Sequence, residues 1–206
     1  SLSSQFLEGR KLFYGSVPFH WGVLFIFCGH LIAFLIPRTV LAWNSQPVRL
    51  LILEISAFIF GISMLVGLVN LFIRRYTTPR LYPVTNKMDF VVYVLLILQT
   101  FTGLWIAYNF RWGSSWFSTL LSPYLNSIFK LNPDITAVVL LPWTVKLHIA
   151  GAFIIIGILP FSRLIHMLVL PLNYIWRPYQ QVMWYWDRKK VRNRKTPWSL
   201  QRPKNT

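Results

Sequence analysis

The sequence contains four histidines, His20, His30, His148 and His166, and each lies within a long apolar stretch. An imidazole is polar and titratable, so placing one inside an apolar segment costs free energy and usually marks a functional site. Two of the four histidines lie in the first apolar stretch and two in the last. This distribution indicates one chemical role that all four share.

The spacing of the histidines predicts two sites with two imidazoles each. His20 and His30 are about 15 Å apart along a helix, too far to bind one metal ion together. His148 and His166 are separated by five whole helical turns, so on a continuous helix they face the same way. The last of four predicted spans runs antiparallel to the first, which pairs His20 with His166 near one membrane face and His30 with His148 near the other.

Two imidazoles on opposite sides of a metal suit a six-coordinate haem, whose ring supplies the other four nitrogens. Zinc or non-haem iron normally requires three or more protein ligands or a carboxylate, and Glu54 is the only acid well inside an apolar stretch. The single cysteine, Cys28, excludes a Cys-x-x-Cys-His attachment of c-type haem and iron–sulfur ligation. The pattern therefore predicts two b haems, with room for the flat rings at Gly29 and Gly151 and with Arg163 as a partner for haem propionates.

The distribution of charge predicts an all-α membrane protein, a bundle of four transmembrane helices with two stacked haems between the first and the last. Hydrophobic residues make up 55% of the 206 residues, yet the net charge is +16. The basic residues concentrate between the apolar stretches and in the tail. About 20 apolar residues span a bilayer, and four stretches reach that length, at about 17–36, 50–73, 90–110 and 140–170. A soluble helical core protein is the competing interpretation, which four such stretches disfavour.

The fourth span, of about 31 residues, would measure about 46 Å as a straight helix, so it must protrude, tilt or bend. Gly157 and Pro160 mark the place where it can bend. In a straight helix His148 and His166 would lie about 27 Å apart, against about 15 Å for the other two histidines. Tilted haems, a tilted helix or a kink at Pro160 must absorb this difference.

The basic residues also predict the orientation in the membrane. Four spans place both ends of the sequence on one side, and that side carries 16 of the 21 Lys and Arg residues. Cytoplasmic segments carry this excess, so both ends are predicted to face the cytoplasm across the inner membrane.

Residues 1–171 are predicted to form the transmembrane domain. The basic, aromatic tail 172–206 is predicted to dock on a soluble subunit or the inner leaflet rather than on nucleic acid. The aromatic outer connection, 111–142, is predicted to be an interfacial belt or a lid over an outer site.

Short motifs accompany the histidines along nearly the whole chain. They are Ser3-Ser4-Gln5, Phe19-His20, Gly29-His30, Pro37, Arg74-Arg75, Pro79-Arg80, Leu147-His148, Pro160-Phe161-Ser162-Arg163-Leu164-x-His166 and Tyr179-Gln180. With these motifs and histidine spacings of 10 and 18, the sequence resembles the gamma subunit of membrane-bound respiratory nitrate reductase, a dihaem cytochrome b. Members of that family usually have a fifth helix before the segment at which this sequence begins.

The resemblance implies an electron-transfer subunit of a quinol:nitrate oxidoreductase whose nitrate site lies on another subunit. Electrons would pass between the quinol/quinone pool and a cytoplasmic iron–sulfur subunit, with a molybdenum catalytic subunit further on. The resemblance assigns the proximal haem to His20 and His166 and the distal haem, where quinol is oxidised, to His30 and His148. Arg163 and Arg80 are the candidate partners of the haem propionates.

The expected quinone site lies at the outer end and comprises Gly29, His30, Arg49 and Glu54. The family has a lysine near the distal haem that is implicated in quinol binding, and Arg49 occupies its place if a one-residue gap is allowed around Trp43. Arginine keeps the charge but does not readily release a proton, so quinone chemistry here could differ or run in reverse. Glu54 either faces this site or pairs with Arg38 or Lys146 for structure alone, since an intramembrane acid needs a partner.

Other functions fit parts of the pattern. The membrane cytochrome of a related sulfite- or heterodisulfide-type complex would use the same scaffold, and the soluble partner that co-purifies distinguishes it. A haem-free proton or ion transporter with a histidine relay, or an assembly anchor, would carry no absorbing cofactor. A reduced-minus-oxidised visible spectrum separates these two from a cytochrome.

Overall fold

A computed structural model describes residues 10–167, apart from the side chains of Arg10, Arg80 and Pro83. Within this range every regular element is helical, as the all-α prediction requires. Three predictions lie outside the described residues: the motif at residues 3–5, the continuation of the fourth span to residue 170, and the docking tail 172–206.

Four helices are long and apolar enough to cross a membrane, which confirms the predicted number of spans for the described part of the chain. They are α1 (Arg10–Leu35), α3 (Pro47–Thr77), α4 (Lys87–Asn109) and α8 (Trp143–Ile158), the last continued by a 3-10 turn, Leu159–Phe161. The short helix α2 (Pro37–Asn44) connects α1 to α3, and a 3-10 turn, Pro79–Val84, connects α3 to α4. The outer connection contains α5 (Gly113–Trp116), a π-helical turn (Phe117–Leu121), α6 (Ser122–Phe129) and α7 (Thr136–Val139).

Proline defines several of these boundaries. Pro37 and Pro47 occupy the first turns of α2 and α3, where the absent N–H needs no partner and the fixed φ suits a helix. Pro18 lies inside α1, which continues through it. Pro18 leaves the Tyr14 carbonyl one turn earlier without its helical donor, which membrane helices tolerate. The Ser63 hydroxyl of α3 donates to the carbonyl of Pro18 itself at 3.2 Å and so joins the two helices at this position.

The fourth span is not one continuous helix. The α-helix ends at Ile158, Ser162 is extended, and a separate 3-10 segment, Arg163–Met167, follows. The kink predicted at Pro160 is thus confirmed, while the expectation of five continuous turns between His148 and His166 is wrong. Only the ten residues from His148 to Ile158 rise along α8, about 15 Å, which removes the mismatch with the spacing on α1.

The spanning helices pack sequentially and antiparallel, α1 on α3, α3 on α4 and α4 on α8. The α1–α3 interface is the closest of these because glycines allow the backbones to approach. A Cβ placed on Gly67 would lie 2.5 Å from the Phe19 nitrogen and 2.8 Å from the Gly15 carbonyl oxygen, and one on Gly22 would lie 2.7 Å from the Phe60 oxygen. Close packing of α1 and α8 against each other is absent from the interfaces of the described helices.

We predict that Gly67→Ala destabilises the protein by about 1–3 kcal/mol, because the added methyl group forces the backbones of α1 and α3 apart. Gly157→Ala is the matched control, since a Cβ at that helical glycine meets nothing within 4 Å and should change stability by no more than about 0.5 kcal/mol. Unfolding in detergent, followed by circular dichroism, measures both. Equal stability of the two variants would contradict the close approach at Gly67.

Candidate functional site

His20 of α1 and His166 of the 3-10 segment face each other directly. Their ring centroids are 6.3 Å apart and their planes are inclined at 57°. Metal–imidazole bonds are about 2.0–2.1 Å long and a ring centroid lies about 1.15 Å behind its nitrogen, so imidazoles on opposite sides of one ion have centroids about 6.4 Å apart. The observed separation therefore fits one metal ion between the two rings.

In each of the four histidines, Nδ1 lies within hydrogen-bonding distance of an oxygen. The partners on α1 are the carbonyls one turn earlier, Ser16 O for His20 at 2.7 Å and Ile26 O for His30 at 2.8 Å. For His166 the partner is Arg163 O at 2.7 Å. A carbonyl can only accept, so these three Nδ1 atoms carry the proton and leave the Nε2 lone pair for a ligand, as in metal-bound histidines generally.

His148 is held differently, by residues of α4. Its Nδ1 is 2.9 Å from Thr102 Oγ1, a hydroxyl that is also 2.9 Å from the Leu98 carbonyl oxygen, to which it donates. The Thr102 oxygen thus accepts from Nδ1, and the Nε2 lone pair of His148 accepts from Gln99 Nε2 at 3.3 Å. Gly103 makes room for the ring, because a Cβ there would lie 3.0 Å from His148 Cε1.

The space for a flat ring differs in part from the prediction. A Cβ on Gly29 meets nothing within 4 Å, so the surface beside His30 is open as expected. Beside Gly151, the amide oxygen of Gln99 occupies the position that a Cβ would take, so room for a ring there depends on the placement of this side chain. The sequence did not identify Gln99, Thr102 and Gly103 as site residues, because neutral residues in a span without charges resemble ordinary residues of a membrane helix.

The burial of the histidines favours an additional group between the first and last spans. His20, His30 and His166 are exposed on the surface of the described helices, and an imidazole left facing lipid would be costly. Groups of three or more His, Cys, Asp or Glu side chains able to hold a metal are absent among residues 10–167. Two-imidazole sites of this kind fit a haem, which brings its own four nitrogens.

At the end of the bundle that holds His20 and His166, Arg163 contacts Asp89. Its Nε lies 3.0 Å from Asp89 Oδ1, and its Nη2 donates to the Val84 carbonyl at 2.6 Å. Arg75 approaches the other carboxylate oxygen at 3.5 Å. The side chain of Arg80, the second predicted propionate partner, lies outside the described residues.

At the outer end, one segment contacts both His30 and Glu54. The Phe117 and His30 rings are nearly perpendicular, and their centroids are 5.4 Å apart. Ser114 donates to Glu54 Oε1 through its backbone N–H at 3.0 Å and its hydroxyl at 2.7 Å, and Asn44 donates to the same hydroxyl oxygen at 3.0 Å. The outer connection therefore contacts both side chains, through Phe117 and Ser114.

The predicted alternative partners of Glu54 are wrong. Lys146 Nζ donates to the Val139 carbonyl at 2.7 Å, and an ion pair between Arg38 and Glu54 is absent from the described part of the chain. Arg49 lies with its guanidinium carbon 5.0 Å above the Trp43 ring, a cation–π contact. The structure thus places Arg49 and Glu54 against different partners, on α2 and α5.

Asp134 is the other acid of the outer connection, and it is exposed. The hydroxyl and backbone N–H of Thr136 donate to Asp134 Oδ1 at 2.7 and 3.0 Å. These hydrogen bonds favour the carboxylate and lower its pKa below the usual range. Asp134 is thus a charged turn residue.

A cavity of about 520 Å³ lies between the outer parts of α4 and α8. Phe101, Trp105 and Trp143 line it, together with Thr102, the residue that holds His148, and Thr144. The Thr144 hydroxyl oxygen is buried without a hydrogen-bond partner. No sequence pattern predicted this cavity.

Known proteins similar to this chain belong to one group. The profile of the nitrate reductase gamma subunit family matches residues 1–185. The nitrate reductase gamma chain of Bacillus subtilis is 31% identical over 180 residues, covering 86% of this chain and 81% of that protein. The respiratory nitrate reductase 2 gamma chain of Escherichia coli is 29% identical over 184 residues, covering 87% of this chain and 81% of its own length.

A longer relative contains only one region similar to this chain. The nitrate reductase-like protein NarX of Mycobacterium tuberculosis is 29% identical over 189 residues, which cover 86% of this chain but 28% of that protein. The match of the family profile extends over most of the sequence and includes all four histidines. The chain therefore belongs to the nitrate reductase gamma subunit family and is a membrane subunit of a nitrate reductase.

Proposed function

We propose that this chain exchanges electrons between the quinol pool and the other subunits of a nitrate-reductase-type complex, with two b haems held by His20/His166 and His30/His148. The observation that carries the proposal is the 6.3 Å separation of the His20 and His166 ring centroids. When bound, a haem supplies one-electron transfer through its iron. The chain supplies the axial ligands, their orientation and the site for the substrate.

The proximal site is close to its ligand-binding geometry. The Ser16 and Arg163 carbonyls accept the Nδ1 protons of His20 and His166, so the Nε2 lone pair of each ring is available to a ligand. Such contacts fix the tautomer and raise the basicity of a ligand, which leaves the Nε2 atom of each ring able to bind the iron. The exposed Arg163 remains a candidate partner for a propionate alongside its contact with Asp89.

The distal site requires one local rearrangement. Thr102 already fixes the tautomer of His148, but the Gln99 amide occupies its Nε2. Gln99 also donates to the His148 carbonyl at 3.0 Å, so its amide can leave Nε2 and keep this second acceptor. His30 needs no such change, because Ile26 binds only its Nδ1.

The outer end supplies the groups that quinone chemistry requires. Glu54 takes up the proton of a quinol hydroxyl, and Ser114 orients its carboxylate by donating two hydrogen bonds to Oε1. Gly29 leaves an open surface beside His30. Arg49, held over Trp43, provides positive charge at the membrane interface without releasing a proton.

The proposal extends to orientation and partners. The excess of Lys and Arg on one side supports a cytoplasmic location for that side and an inner-membrane location for the chain. The proximal site then faces an iron–sulfur subunit, which passes electrons to a molybdenum catalytic subunit. The tail 172–206 is proposed to bind the iron–sulfur subunit.

The first test is the haem content of the purified chain. We expect a pyridine haemochrome assay to give about two haems per polypeptide, because each histidine pair fills both axial positions of one ring. The haems should be extracted by acid acetone, since the single cysteine provides no thioether attachment of the Cys-x-x-Cys-His type. A value near one, or haem that resists extraction, would contradict the proposal.

The second test is the pairing of the ligands. His20→Ala and His166→Ala should remove the same component of a redox titration, and His30→Ala and His148→Ala the other, because loss of one axial imidazole opens its site. Each pair serves as the control for the other, as a variant that misfolds would lose both components. A shared phenotype of His20→Ala and His148→Ala would disprove the antiparallel pairing.

The third test concerns Glu54. We expect Glu54→Gln to slow quinol-dependent haem reduction by about 10²-fold, since an amide of the same shape cannot take up a proton. Reduction by dithionite and both haem spectra should not change. Asp134→Asn makes the same chemical change at an exposed acid of the outer connection and should leave the rate as it is. If Glu54→Gln reduces haem at the wild-type rate, Glu54 does not take up the quinol proton. The cavity beside Thr102 would then be the next candidate for the quinol site.

A further inference from the structure

Asp89, in the first turn of α4, lies in a charged cluster that the proposed function leaves unused. Its side chain is 8% exposed, and its two oxygens have different partners. Oδ1 lies 3.0 Å from Arg163 Nε. Oδ2 accepts from the Asn86 backbone N–H at 3.0 Å and lies 3.5 Å from Arg75 Nη1.

This carboxylate connects three parts of the chain at the cytoplasmic end of the bundle. Arg75 belongs to the last turn of α3, Asn86 precedes α4, and Arg163 opens the 3-10 segment that contains His166. A buried charge is costly unless it is paired and hydrogen-bonded. Asp89 has two cationic partners and one N–H partner, and it lies in the first turn of a helix, where a negative charge is stabilised.

The segment that carries His166 has few other attachments. None of the residues Arg163–Met167 is buried, and the extended Ser162 separates the segment from the end of α8. The α-helix therefore does not fix the direction of the His166 ring. Arg163 joins this segment to α4 by its contact with Asp89 and to the preceding 3-10 turn by its hydrogen bond to the Val84 carbonyl.

Arg163 also contacts His166, the proposed haem ligand. Its side chain binds Asp89, and its own carbonyl accepts the Nδ1 proton of His166 at 2.7 Å. The position of this carbonyl sets where His166 Nε2 points. A displacement of the Arg163 side chain would turn the ring away from His20.

We propose that Asp89 is a positioning residue for the proximal haem ligand: through Arg163 it holds His166 opposite His20. The inference rests on the proposed function, since it concerns one of the two proposed haem sites. It assigns the role to an acid 77 positions before the ligand in the sequence. Contacts of this kind around a metal ligand typically change metal affinity by about 10- to 100-fold.

The test uses Asp89→Asn in the full chain, assembled with its partner subunits in membranes. The asparagine oxygen can still accept from the Asn86 N–H, whereas the ion pairs with Arg163 and Arg75 are lost. Transfer of each haem to excess apomyoglobin is followed separately through the two components of the redox titration. We expect proximal haem loss to be about 10- to 100-fold faster, with the distal haem at its wild-type rate.

Two variants separate positioning from general stability. Asp89→Glu keeps the charge and should restore most of the proximal retention. Thr85→Val is the matched control, because it removes a 2.7 Å hydrogen bond to the Leu81 carbonyl in the same connection and leaves the ion pair in place. It should release neither haem faster.

Equal release of both haems from Asp89→Asn, unchanged release of both, or an equal effect of Thr85→Val would overturn the inference. If Asp89→Asn yields no assembled complex, Asp89→Ser decides by the same criterion, since a serine hydroxyl can still accept from the Asn86 N–H but carries no charge to pair with Arg163. A wild-type chain without two haems would instead contradict the proposed function, so the two failures are distinguishable.

Discussion

The structure depends on one constraint: an imidazole inside an apolar helix must satisfy both of its ring nitrogens without water. His20 and His30 meet half of this requirement locally, because the carbonyl one turn earlier accepts the Nδ1 proton. This contact is available at any helical position, so it fixes the tautomer without help from other helices. Nε2 is then left on the exposed side of α1, and the surrounding fold must provide its partner.

The packing of the bundle follows from this requirement. Gly15, Gly22 and Gly67 bring α1 and α3 into backbone contact, while α8 is held on α4 and does not pack closely on α1. The rings of His20 and His166 therefore meet where the first and last spans are not in close helix contact. If these spans packed on each other through apolar side chains, the histidines would be buried without ligands.

The sequence was sufficient to predict the spans, the break at Pro160 and the pairing of His20 with His166 in space, because these follow from local pattern and helix geometry. The sequence was insufficient to predict the partners of a site residue where those partners are neutral side chains on another helix. Gln99 fills the space assigned to the ring at Gly151, and Ser114 replaces the cations expected at Glu54. Hydroxyls and amides of this type occur throughout membrane helices, and only the register of two packed helices shows which of them meet a ligand.

The two ends of the bundle fix their histidines by different physical means. Near His166, Asp89 and Arg163 use full charges, whose attraction is strong where water is scarce but whose burial is costly. At the other end, Thr102 holds His148 with a neutral hydrogen bond inside the bundle, where an unpaired charge would be more costly. Neutral contacts can exchange partners at small cost, as the two acceptors of Gln99 illustrate. His166 is therefore held through an ion pair, whereas His148 is held by neutral groups, one of which must change partner before Nε2 can bind a ligand.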